Sequence, residues 1–202
     1  MVNISPTAII HSNVHLGINV TIEDHCIIGL PLKGLEGKKT FIGDESLIRA
    51  GTYIYAGNSI GKNFQTGNKV NIRELNKIGD YVSIGTGSVL EHHINIGNRV
   101  RIHSQVFVPE FSQLDDDCWL GPNVVLTNAR YPKHPLTKKE LDGVKVGKNA
   151  KIGANSTVLP GILIGDNSLV GAGSVVTKNV EKDAIVIGNP AKFIKIINKL
   201  VI

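Results

Sequence analysis

The chain has 202 residues, of which 42% are hydrophobic, 5% are aromatic and 22 are glycine. Such a chain makes one folded domain, two at most, with a core of Ile, Val and Leu and many tight turns; a disordered chain is excluded. The formal charge of +5 suits a phosphorylated ligand and equally an ordinary basic surface, and no nucleic-acid partner is expected. Cys26 and Cys118 are the only cysteines, which gives neither a disulfide framework nor a zinc signature. The opening MVNISPTAII lacks the regions of a signal peptide, and no apolar run approaches the roughly 18 residues of a membrane span. A cytoplasmic protein without a membrane span is the expectation.

Along the chain an aliphatic residue recurs at every sixth position. A first block holds Ile10, Leu16, Ile22 and Ile28, and LPLKGLEGKKT (30–40) interrupts it. A long block follows from Ile42 through Ile48, Ile54 and Ile60 to Leu114, Leu120 and Leu126, with Thr66 as its one departure. ARYPKHPLTKKELDG (129–143) breaks the register again before a last block runs from Val146 to Val176. Glycine often follows the aliphatic residue, and a small or apolar residue such as Ser46, Val82, Ser88, Cys118 or Ser156 stands four places after it. A period of six fits neither a helix face nor a heptad. It fits short strands joined by tight turns, with the aliphatic residue and the one four places on pointing inward. Gly and Asn are expected in the turns for their tolerance of positive φ.

This pattern resembles the hexapeptide-repeat proteins over nearly the whole chain. The resemblance implies an all-β fold, a left-handed parallel β-helix with three hexads, about eighteen residues, per coil. Residues 1–190 would form the helix domain, with loop excursions at about 30–40 and 129–143. Residues 191–202, with KFIKIINKLVI, would form a short C-terminal helix capping the open end.

With that coil length, positions eighteen apart lie one above the other, about 4.8 Å apart. His92, in the stretch SVLEHHINIGN, then stacks between Glu74 and Glu110, with Asn128 beyond, at one outward corner. A carboxylate beside an imidazole fixes its tautomer and stabilises its protonated form, which suits a general base. Structurally, a corner residue is exposed and polar by default. Both excursions are expected to leave at this same corner, and long loops in an otherwise regular solenoid tend to carry function. His93 joins the less polar column of Leu75 and Phe111. At a neighbouring corner Thr86, Ser104, Pro122, Ala154 and Ala172 make a strip of small residues that suits a long ligand arm.

Hexapeptide-repeat proteins are most often acyltransferases that use acyl-coenzyme A. The stretch IGANSTVLPGILIGDNSLVGAGSVVTKNV and the following GNPAK resemble the segment shared by sugar and amino-acid acetyltransferases. That resemblance implies coenzyme A binding along Gly153, Ala154, Gly171 and Ala172, with Lys178 and Lys192 at its nucleotide end, and Ser104, on the same strip, and Gly121 beside it are expected to join them. SVLEHHINIGN is similar to the amino-sugar acyltransferases in which the position matching His92 is the base; an acidic residue often follows there, where this chain has His93. Those enzymes usually carry an N-terminal nucleotide-binding domain, which is not expected here because the hexads begin at once. WLGPNVVLTNARYP resembles the single-domain N-acyltransferases of nucleotide-linked amino sugars, in some of which the departing thiolate takes the proton instead of a protein base.

The expected function is therefore transfer of an acyl group, by default acetyl, from acyl-coenzyme A to the amine of a nucleotide-linked amino sugar. His92 and Glu110 would be catalytic. Glu74, His93, Asn128, Arg130, Tyr131 and His134 would contact the substrate, and a backbone N–H near Gly85 or Gly121 would stabilise the oxyanion. No metal is expected. The family implies a homotrimer with sites between subunits. The alternatives are O-acetyl transfer with His134 or His92 as base, a γ-type carbonic anhydrase, and a non-catalytic scaffold.

Overall fold

The computed structural model describes residues 2–197. The hexads form strands that are mostly two or three residues long, stacked into three sheets of eleven, nine and eight strands around a β-solenoid of about ten turns. The first face includes Ser83–Ile84 and Arg101–Ile102, the second Val89–Leu90 and Phe107–Val108, and the third Asn95–Ile96 and Gln113–Leu114. Ile72 pairs with Ile54 below it and Leu90 above it, and Leu90 pairs with Val108.

Beyond the first coil, whose Ile4, Ile10 and Leu16 stay partly open, the hexads bury two side chains each. Ile54, Ile72, Leu90 and Val108 are fully buried, and so are Ser46, Val82, Ser88, Cys118 and Ser156 four places after an aliphatic position. The departure at Thr66 is satisfied, since the Arg49 N–H donates to Thr66 Oγ1 at 2.9 Å.

Gly87 (φ 69) and Gly173 (φ 69) take the turn conformation expected of them, but the glycine directly after the aliphatic residue owes its place to close approach. A Cβ on Gly85 would lie 2.4 Å from His103 C and Ser104 N of the next coil, which no side chain tolerates. The left-handed conformation falls two residues later. Asn123 adopts it (φ 58), and so do Tyr81 (φ 58), His93 (φ 57) and Phe111 (φ 65). Positive φ is thus a property of the corner, and His93 is not singled out by it.

Both excursions leave between the second and third faces. One joins Ile27–Leu30 to Thr40–Ile42 and the other joins Val125–Leu126 to Lys145–Val146. The second closes at its neck, where the Asp142 N–H donates to Asn128 O at 3.0 Å. Gly143 re-enters so close over Phe111 that a Cβ would meet its carbonyl carbon at 2.3 Å. Within this loop Thr137–Lys139 makes one 3-10 turn.

The capping helix is not formed in the described part of the tail. Ala191–Ile196 is a strand, antiparallel to Ala184–Gly188. The chain reverses at Gly188 (φ 109) and the following Asn189–Pro190, and the free edge of the first face offers hydrogen bonds that a segment holding Phe193, Ile194 and Ile196 takes up as strand. The rest of the predicted helix, 198–202, lies outside the described residues.

Beneath the corner that carries His92 runs a buried ladder of asparagines. Asn58 Nδ2 donates to Tyr55 O (2.7 Å) and Arg73 O (2.8 Å), and Asn58 Oδ1 accepts the Asn76 N–H (3.0 Å). Asn76 Nδ2 donates to Arg73 O (2.8 Å), and its Oδ1 accepts the Ile94 N–H (2.7 Å). Asn76→Leu keeps the branched shape, strands the Ile94 N–H and leaves Arg73 O to the Asn58 side chain as donor. We expect it to destabilise the chain by about 2–4 kcal/mol, from about 1–3 kcal/mol for the stranded Ile94 N–H and about 1 kcal/mol for the lost bond to Arg73 O, measured as a lowered urea midpoint.

Candidate active site

The column read from the spacing exists as a line of contacts, but its members are not equivalent. Asn128, nearly buried, donates from Nδ2 to Glu110 Oε2 at 2.7 Å and to Glu110 O at 3.3 Å. Glu110 Oε1 then lies 3.8 Å from His92 Nε2, an ionic separation too long for a direct hydrogen bond. His92 Nδ1 is 2.8 Å from His93 Nδ1. Phe111, from the coil above, packs on both rings, at 5.8 Å from His92 and 5.7 Å from His93 between centroids.

Glu74 is committed elsewhere. Arg73 grips it with two donors, Nε to Oε2 at 2.9 Å and a terminal nitrogen to Oε1 at 3.2 Å. Arg73 also reaches Glu91 at 3.5 Å and lies over the Tyr55 ring at 5.2 Å. The hydrogen bond to Glu74 raises the Arg73 pKa further above its usual value. Arg73 is invisible from the His92 column alone. The column beside it, Tyr55–Arg73–Glu91 in steps of one coil, carries the signal.

Of the loop residues, Arg130 and Tyr131 line a pocket of about 210 Å³ with Thr137, Glu140, Asp142 and Pro160. Pro160 stands one coil above Asn128, since Val125–Leu126 pairs with Thr157–Val158. His134 is not among the lining residues. Its Nδ1 accepts the Leu136 N–H at 3.3 Å within the loop.

The small-residue strip runs along the corner between the first and second faces, where Ser104, Pro122, Ala154 and Ala172 follow one another by the pairing of Ile102, Leu120, Ile152 and Val170. Gly121, Gly153 and Gly171 lie beside it and are needed for stacking. Cβ atoms on the first two would lie 2.7 Å from Ala154 N and 2.5 Å from Ala172 N, and one on Gly171 would strike the Ile187 side chain at 2.5 Å. The open part of the strip is lower, a groove of about 220 Å³ whose lining includes Gly85, Thr86, Arg101, His103 and Ser104. In the region expected to face an oxyanion, the N–H groups of the two glycines themselves are engaged in the coil ladder, Gly85 with Ile102 O and Gly121 with Ile152 O, both at 2.8 Å. They also lie at a different corner from His92.

Lys178 and Lys192 come together. Both line a groove of about 260 Å³ at the end of the solenoid, with Val176, Val186 and Phe193 among its apolar walls. Lys178 belongs to the His92 column, two coils beyond Asn128. Cys26 and Cys118 are buried, and burial pushes both thiols up from their usual values, so neither is a ready nucleophile. Among the described residues no three His, Cys, Asp or Glu side chains group as metal ligands, and no helix is long and apolar enough to cross a membrane.

Residues 143–178 match the family described as hexapeptide repeat of succinyl-transferase. The chain is 31% identical over 162 residues to the bifunctional protein GlmU of Streptococcus uberis, an alignment covering 76% of this chain and 35% of that protein. It therefore spans little more than a third of the curated relatives it matches. Among solved structures, the UDP-N-acetylglucosamine acyltransferase of Francisella novicida superposes with a TM-score of 0.67 at 17% identity, over 96% of this chain and 70% of that one. The UDP-N-acetylglucosamine acyltransferase of Campylobacter jejuni gives 0.51 at 20% identity, over 96% and 75%. At these identities the likeness is one of fold.

His103 provides a test of the groove's electrostatics. Its ring packs on Trp119 at 4.8 Å, and Nε2 accepts from Arg101 Nε at 3.2 Å. Burial, and then the Arg101 charge, lower its pKa below the usual 6.5. The unfolded chain therefore binds this proton first as pH falls. Above 6.5 the group contributes nothing; below it, stability drops until the folded state also protonates. Denaturation of wild type and His103→Gln from about pH 7 to about pH 5 should show the wild type losing more stability on acidification.

Proposed function

The chain belongs to the hexapeptide-repeat family, and on that premise we propose that it is an acyl-coenzyme A-dependent N-acyltransferase acting on the amine of a nucleotide-linked amino sugar. One observation carries the assignment: His92 Nε2 faces a carboxylate, Glu110, that Asn128 holds in place, at the corner from which both excursions emerge. The acceptor amine attacks the thioester carbonyl while His92 takes its proton. Glu110 stabilises the imidazolium, and the departing thiolate recovers the proton. The C–N bond forms as the C–S bond breaks. Holding two substrates against one another supplies much of the rate.

The remaining roles follow from position. Arg130 and Tyr131 line the pocket beyond Asn128, where the sugar or its nucleotide would sit. Lys178 and Lys192 flank the terminal groove, and Lys178, being in the His92 column, would meet the phosphates of a coenzyme A carried on the strip of a neighbouring copy. Acetyl is the default acyl group. The fold neighbours named above act on a nucleotide sugar, which supports a nucleotide-linked sugar as the acceptor; the choice of an amine over a hydroxyl rests on the His92–Glu110 geometry. The strip of small residues and the His92 column occupy different corners, which supports a trimer with sites between subunits. O-acyl transfer through His134 has less support, because that ring is engaged within its own loop.

A matrix of acyl-coenzyme A thioesters against nucleotide-linked amino sugars, read by release of free thiol, tests the proposal. We expect turnover with at least one pair and a fall in kcat of about 10²–10⁴-fold in His92→Asn. Absence of thiol release across the matrix would overturn the acyltransferase assignment. Full activity of His92→Asn would overturn only the choice of base.

A further inference from the structure

His92 has two ring nitrogens, and they stand in different surroundings. Nδ1 is at hydrogen-bond distance from His93 Nδ1, 2.8 Å, while Nε2 faces Glu110 Oε1 across 3.8 Å. A bond between two imidazole nitrogens needs one N–H and one lone pair. If His93 donated, neutral His92 would carry its proton on Nε2 and spend its only lone pair on His93. No basic nitrogen would then face the site. If His93 accepts, His92 carries its proton on Nδ1 and turns a free lone pair on Nε2 toward Glu110.

The carboxylate is arranged to match. Asn128 Nδ2 occupies Oε2 at 2.7 Å, which leaves Oε1 as the oxygen toward His92. An atom bearing two hydrogens can sit between Nε2 and Oε1 at about 2.9 Å from each and satisfy both. Phe111, packed on both imidazoles, restrains the rings.

We infer that His93 holds His92 in its Nδ1–H form, so that His92 Nε2 and Glu110 Oε1 act as paired acceptors that seat a primary amine and disfavour a hydroxyl. The inference rests on the acyltransferase reading above for its chemistry. One N–H of the amine passes to Nε2 as nitrogen bonds to the thioester carbon. The second N–H stays on Oε1 and remains in the product amide. The C–S electron pair leaves with sulfur, and the Nε2 proton returns to that thiolate. A hydroxyl has a single hydrogen, so one acceptor is left facing its oxygen lone pairs, a mismatch that costs affinity in a site built for two donors. His93 is the positioning residue, and Glu110 touches the reacting nitrogen.

Two measurements decide it. Imidazole ¹⁵N shifts of the full chain at neutral pH should show His92 protonated at Nδ1 and His93 at Nε2. His93→Asn, which keeps an acceptor and tolerates the corner's positive φ, should preserve the His92 tautomer. His93→Leu should lose it, and Leu75 already holds that position one coil below at φ 62, so this variant fits the backbone. A wild-type His92 protonated at Nε2 would overturn the inference. The second measurement compares thiol release with the amino-sugar substrate found in the matrix and with its hydroxy counterpart. Wild type should favour the amine at least about 100-fold. Glu110→Gln should shrink that ratio about tenfold or more, because Asn128 keeps the amide oxygen and the amide NH₂ turns into the gap. An equal loss on both acceptors would overturn the inference while leaving the acyltransferase reading intact. Thiol release with neither acceptor would instead remove the reading beneath it, and the tautomer measurement would still stand by itself.

Discussion

The eighteen-residue interval between stacked positions governs this molecule, and the backbone enforces it. Along the second face Asn71 N–H donates to Ser88 O, Val89 N–H to Val106 O and Phe107 N–H to Val124 O, at 2.9–3.0 Å. A slip of one residue would turn every buried aliphatic side chain outward. Extra chain can therefore leave only at a corner and must return to the same rung, as Asn128 and Asp142 do by bonding to each other. The excursions are tolerated because the strands flanking each keep their pairing, with a bulge between Ile28 and Leu30 where the first one leaves.

That constraint is why so much of the fold is legible in the sequence. Period six marks the inward positions from Ile42 to Leu126 without reference to any contact, and both breaks in the period fall where the loops emerge. The tail departs from its helical expectation for a related reason. Beyond Val176 the period ends, and whether KFIKI becomes helix or strand depends on a neighbour, the unpaired edge of Ala184–Gly188, which no local pattern reveals. The glycines show a different gap. Their positions are obvious in the sequence, but the cause, backbone of the next coil at 2.4 Å from an imagined Cβ of Gly85, exists only between coils.

The candidate site divides along the same line. Register alone puts Glu74, His92, Glu110 and Asn128 in one column, and that arithmetic places their backbones correctly. It does not assign partners. Glu74 and Glu110 are the same residue type at equivalent positions, one coil to either side of His92, yet one is tied to Arg73 and the other faces the imidazole. The difference comes from the adjacent column, where the coil of Glu74 carries Arg73 and the coil of Glu110 carries Pro109. The left-handed corner then aims His93 so that the two imidazoles meet through their Nδ1 atoms, a contact that depends on side-chain direction and not on spacing.

The separation of corners has a consequence for assembly. The His92 column lies at one end of the second face and the strip of small residues at the other, one hexad apart along the chain. Six residues at about 3.3 Å each put the two edges up to roughly 20 Å apart. A pantetheine arm lying along the strip runs parallel to the solenoid axis and stays at that distance from His92 of the same chain. Acyl transfer at His92 with the donor on this strip is therefore possible only if the strip belongs to a neighbouring copy. A chain that were active as a monomer would force one of the two assignments, the base or the donor groove, to be given up. The oligomeric state and the chemistry are thus one question here, because a rigid three-sided prism cannot fold one of its corners onto another.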